Sequence, residues 1–159
     1  MIHFLRRVVW QLTSSGTPTE IERQQRDASF IKESLKAALP AWGDGVSRLP
    51  LDGTYYCPDH DGFEALREER GAEWLPYTKA QFDCEDFAAL FRAITTRDYG
   101  VNAVGVVVDW SAEPAHSYNA IVLADGTVLL FEPQDDRVIE PAELPADDTH
   151  RLEHGRILI

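Results

Sequence analysis

Cysteine is scarce in this 159-residue chain, which has only Cys57 and Cys84. Two are too few for a disulfide framework, so reduced thiols and a cytosolic setting are expected, each thiol being either a small buried hydrophobe or a nucleophile. Positive charge is short too: three Lys and twelve Arg face twenty-seven Asp and Glu, for a formal net charge of -12. That balance disfavours nucleic acid and anionic membrane as partners, since both would repel the chain at long range. The acidic, Arg-biased composition leaves two origins open, adaptation to high salt and GC-rich coding. No run approaches the ~20 apolar residues that span a bilayer. The opening Met1–Leu12 lacks the long apolar stretch and small-residue cleavage site of a signal peptide. The expectation is therefore a protein without leader or membrane span, cytoplasmic or carried within a virus particle.

What is present argues for a packed domain. A hydrophobic fraction of 44% with sixteen aromatic residues exceeds what disordered chains carry, and the length suits one core. Residues 1–18 read as an N-terminal arm, with Ile2, Leu5, Val8, Val9 and Leu12 near helical spacing before a Thr13–Pro18 break. Residues 19–159 read as one domain. Within it, a helix is expected from Thr19 to Leu39, irregular loop from Trp42 to Tyr56, and a short charged helix over Phe63–Arg70. A stronger helix should start at Cys84 and run to Asp98, with Phe87, Leu90, Phe91 and Ile94 on one stripe and Gly100 as the stop. Beyond Gly100 the period changes. Val101–Trp110 suits a central strand, and His116–Ala124 and Thr127–Glu132 form a hairpin around Asp125-Gly126. Helices followed by an antiparallel sheet make the expected class α+β.

Asp83 is a natural N-cap for the strong helix, which puts Cys84 at the first helical position. A helix N-terminus favours a thiolate, whereas the neighbouring carboxylates of Asp83, Glu85 and Asp86 oppose it, so an imidazolium partner would be needed. The packing alternative stands beside this, because Cys84 shares a helical face with Phe87, Ala88 and Phe91.

Three segments carry a family resemblance. Phe82-Asp-Cys-Glu-Asp-Phe-Ala88 resembles the nucleophile motif of bacterial transglutaminase-like cysteine proteinases and of the protease domain of the Marasmius-type mushroom agglutinin. His116-Ser-Tyr-Asn-Ala-Ile-Val122 resembles the strand with the family's general base, and Gly126-Thr-Val-Leu-Leu-Phe-Glu-Pro-Gln134 the strand with its orienting acid or amide. The resemblance spans Trp74 to Gln134. It implies a papain-like/transglutaminase-like α+β fold, a central helix bearing Cys84 packed on an antiparallel sheet. It also implies a hydrolase acting on a peptide or amide substrate, with transfer to an amine as a variant. Cys84 would be the nucleophile, His116 the base and Glu132 the third member. Gln81 lies three residues before Cys84 where such sites place it further upstream, so Trp74 and Tyr77 join it as oxyanion candidates.

No cofactor is expected. The agglutinin-type relatives' calcium dependence leaves a divalent cation open without naming ligands. Asp59-His-Asp-Gly62 reads as a surface turn in place of a metal loop, and a His150/His154 zinc pair is disfavoured by Gly155. The rival reading is a non-catalytic module of the same fold, a structural or binding part of a larger assembly such as a virus particle or tail, docked through its arm. Strand parity supplies one sharper expectation. If Ala124-Asp125-Gly126 form a three-residue loop with Gly126 at positive φ, then Leu123 pairs with Thr127, and His116 and Glu132 become diagonal neighbours on one face. A two-residue turn would put them on opposite faces.

Overall fold

The computed structural model describes residues 18–39, 46–70, 72–73, 75–111, 113–144, 148–150 and 152–159. Residues 1–17 of the N-terminal arm and Trp74 lie outside them. The strands are β1 (Arg23–Asp27), β2 (Val46–Leu49), β3 (Thr54–Pro58), β4 (Val104–Asp109), β5 (His116–Val122), β6 (Val128–Glu132), β7 (Arg137–Ile139) and β8 (Gly155–Leu158). The helices are α1 (Ala28–Ala38), α2 (His60–Arg70) and α3 (Cys84–Tyr99). β1 and β3 pair as a two-stranded ribbon, and the other six form one sheet in the order β2-β8-β4-β5-β6-β7. That sheet is mixed: β2 and β8 run parallel, and every other neighbouring pair is antiparallel.

Side-chain alternation along the strands divides the core in two. On one face Tyr118, Ala120 and Val122 of β5 and Val128 and Leu130 of β6 pack with Ile31 and Leu35 of α1. On the other, Ile121, Leu129 and Phe131 meet Phe63 and Leu66 of α2 and Phe91 of α3. Phe131 sits edge-on to Phe63 with ring centroids 5.8 Å apart, and 4.7 Å from Phe91. Asn119, buried on this second face, donates to the carbonyls of Ala88 in α3 and Gly105 in β4. Gly105 lets β8 come close, since a Cβ there would lie 2.8 Å from Ile157 Cγ2.

Several elements differ from expectation. The expected Thr19–Leu39 helix begins only at Ala28, capped by Asp27, whose Oδ1 accepts from the Phe30 N–H at 2.9 Å. Its first part is β1, because Arg23-Gln-Gln-Arg-Asp has no apolar stripe to hold a helix and finds its backbone partners on β3. β2 and β3 lie where loop was expected, and their partners are distant in sequence. The expected turn at Asp59-His-Asp-Gly62 is instead the entry to α2, with Asp59 just before the helix and its Oδ1 accepting from the Gly62 N–H at 2.7 Å. The expected antiparallel sheet is also corrected, because the chain's last strand inserts between β2 and β4 and runs parallel to β2. Among the described residues no helix is long and apolar enough to cross a membrane.

Candidate functional site

The β5–β6 hairpin builds the site. Leu123 N–H donates to the Thr127 carbonyl at 2.8 Å, Val122 pairs with Val128, and Gly126 sits at φ 93°. The loop is therefore Ala124-Asp125-Gly126, and Asp125 Oδ1 secures it by accepting from the Thr127 N–H at 2.8 Å. This register puts His116 and Glu132 on one face, where His116 Nε2 bonds Glu132 Oε2. Glu132 is almost fully buried and His116 about a third exposed.

A third group joins them from the C-terminal segment. His150, buried, places Nε2 3.5 Å from Glu132 Oε2, and its Nδ1 lies 2.8 Å from Asp148 Oδ1. Asp109, buried on β4, anchors that segment by accepting from the Tyr118 hydroxyl at 2.9 Å and the Leu152 N–H at 3.1 Å. The Tyr118 hydroxyl also reaches the His150 carbonyl, at 3.3 Å. Burial alone would raise the Glu132 carboxyl, yet hydrogen bonds from His116, His150 and Gln134 outweigh it and hold it at about 2. Burial likewise opposes charge on His150, but Glu132 and Asp148 prevail and lift it above the ordinary imidazole value. A cavity of about 540 Å³ opens over this cluster, with Gln134, Asp135, Arg137 and Thr149 on its wall.

Cys84 is not hydrogen-bonded into that cluster, although the Ser117 N–H, next to His116 on β5, faces its thiol. It begins α3, as expected, with the Asp83 N–H donating to Asp86 Oδ2 at 3.3 Å and Gly100 closing the helix at φ 65°. But α3 packs on the Ile121 and Phe131 face, whereas strand alternation puts His116 with Tyr118 on the other. Cys84 Sγ contacts Glu85 Oε2 at 3.4 Å, and no hydrogen bond joins it to His116. Burial raises the thiol, the Ser117 N–H lowers it, and Glu85 and Asp83 raise it further, for a net rise. Cys84 is not among the residues lining the cavity. Of the oxyanion candidates, Gln81 lies exposed in a turn and Tyr77 stacks on Phe87 at 6.5 Å. His150, Asp148 and Gln134 complete the cluster. His150 drew attention in the sequence only as half of a pair with His154, and no local pattern links it to Glu132.

Comparison with known proteins redirects the family reading. A family model described as "Ricin-type beta-trefoil lectin C-terminal domain" matches residues 20–149. Among solved structures, a PSL1a–E64 complex superposes with a TM-score of 0.65 at 21% identity, covering 85% of this chain and 51% of that one. Polyporus squamosus lectin, bound to the human-type influenza-binding epitope Neu5Acα2-6Galβ1-4GlcNAc, gives 0.62 at 22% identity, covering 83% and 49%. The chain thus spans about half the length of these structures. No curated protein sequence matches it. These findings overturn the papain-like/transglutaminase-like assignment in fold, family and function. The matching model is a lectin domain's, and one of the superposed structures is named a lectin, where a cysteine hydrolase had been expected. Short motifs around Cys84, His116 and Glu132 carried that expectation, and helix-start cysteines and strand-borne imidazoles recur on many folds. With the model matching most of its length, the chain belongs to the ricin-type beta-trefoil lectin C-terminal domain family.

Proposed function

We propose that this chain acts as a binding module of a lectin, with the cavity at His116, Glu132, Gln134, Arg137 and His150 as the surface that meets a carbohydrate. The observation that carries the reading is the lectin family match over residues 20–149. The cavity's chemistry supports it. Sugar hydroxyls both donate and accept, and the wall offers donors in Arg137, Gln134, Thr149 and the imidazoles beside acceptors in Glu113 and Asp135. Arg137 is half exposed, with Nε 3.5 Å from Asp135 Oδ2 and Nη2 3.4 Å from His150 Nε2, so its guanidinium stands at the cavity where it can meet a carboxylated sugar.

The trisaccharide bound by Polyporus squamosus lectin is the first probe. Calorimetric titration of the chain, followed by NMR shift mapping, should place the ligand at this cavity. Arg137→Ala should weaken binding at least about tenfold, the scale of one charge-assisted hydrogen bond. Absence of binding across a glycan array would overturn the carbohydrate reading. Cleavage of a protein substrate that disappears in Cys84→Ala would overturn the binding-module reading.

A further inference from the structure

We propose that His116, Glu132 and His150 form a binding site for a borderline divalent transition metal of the zinc class. One ligand atom from each of His116, Glu132 and His150 can be chosen so that all three lie within 4.8 Å of one another. Tetrahedral coordination with metal–ligand bonds of about 2.0–2.1 Å places donors roughly 3.3 Å apart. The His150–Glu132 separation of 3.5 Å already matches, and the His116–Glu132 contact has only to open as the metal replaces the proton between them.

The surroundings orient these ligands. His150 Nδ1 is held by Asp148 Oδ1 at 2.8 Å, which aims Nε2 at Glu132, in the carboxylate–histidine arrangement that supports metal ligands. Gln134 Nε2 donates to Glu132 Oε1 at 2.9 Å, so that oxygen is engaged and Oε2 points to the imidazoles. The rings of His116 and His150 are 5.5 Å apart and nearly perpendicular, which lets both nitrogens converge without stacking. Two imidazoles and one carboxylate suit zinc better than calcium, which prefers six to eight oxygens. Among the described residues the other cluster of three ligand-type side chains, Asp83, Cys84 and Glu85, contains a thiol and is not all-oxygen either. One group opposes the site: Arg137 Nη2 lies 3.4 Å from His150 Nε2, and its half-exposed side chain must swing out. The fourth position would open onto the cavity.

The site rests on donor geometry and needs no glycan, so it is tested on the chain alone. Titration with zinc should give a single saturating equivalent and raise Tm. Cobalt in its place should give visible d–d bands with no thiolate charge-transfer band in the near ultraviolet. Asp148→Asn, on the surrounding shell, should weaken zinc about 10–100-fold, and His150→Ala should abolish the site, with far-UV circular dichroism confirming the fold. Cys84→Ser should leave the titration unchanged. Absence of saturable binding overturns the proposal. So does binding that survives both His150→Ala and Asp148→Asn, or binding that carries the thiolate band and is lost in Cys84→Ser.

Discussion

Replacing Gly126 by Ala tests the loop on which the site's register depends. Gly126 sits at φ 93°, where a side chain is strained whatever the space around it. Left-handed backbone costs an L-residue roughly 1–2 kcal/mol. The new Cβ would also lie 3.2 Å from Ser34 Oγ and 3.5 Å from Phe30 Cζ, so α1 must yield slightly to admit it. Gly53 is the internal control. A Cβ there meets nothing within 4 Å and its φ is not positive. Gly53→Ala should therefore stabilise by about 0.4–1 kcal/mol through the unfolded chain. The two variants should differ by about 2 kcal/mol in urea unfolding, or about 4–8 °C in Tm for a domain of this size. Unchanged m-values would show that the difference lies in the folded chain's stability. Equal midpoints for Gly126→Ala and Gly53→Ala would refute the positive-φ loop, and with it the parity argument for His116 and Glu132.

Cys57, fully buried, is pushed up to about 11 by burial, against a small lowering by Arg26. A raised thiol keeps its proton more tightly in the folded chain, so its contribution is whole below pH 9 and is lost between pH 9 and about 11. The stability gap between wild type and Cys57→Ala should shrink by about 3 kcal/mol over that window, and a gap that does not vary with pH would contradict it. Gly105→Ala should cost about 1–3 kcal/mol, because its Cβ would press on Ile157 Cγ2 at 2.8 Å and the Leu158 carbonyl at 3.2 Å. An unchanged urea midpoint would refute the close β4–β8 approach.

What the sequence determined by itself was local. The start of α3 at Asp83-Cys84 and its end at Gly100 are written in a cap, an apolar stripe and a glycine that takes left-handed backbone. The sequence reduced the meeting of His116 and Glu132 to strand parity across Asp125-Gly126, with one loop length for it and one against, and the structure supplied the three-residue loop. Tertiary structure decided what needs a distant partner. Arg23–Asp27 has no pattern of its own and became a strand only because β3 supplied hydrogen bonds. The C-terminal Arg-Ile-Leu between β2 and β4 made the sheet mixed. The same return of the chain, anchored on Asp109, carried His150 to Glu132 and completed a cluster that no local spacing encodes. Cys84 shows the reverse case. Its helix position was legible, but which apolar face α3 packs on, and that its thiol then meets the Ser117 N–H beside His116, only the assembled core decides.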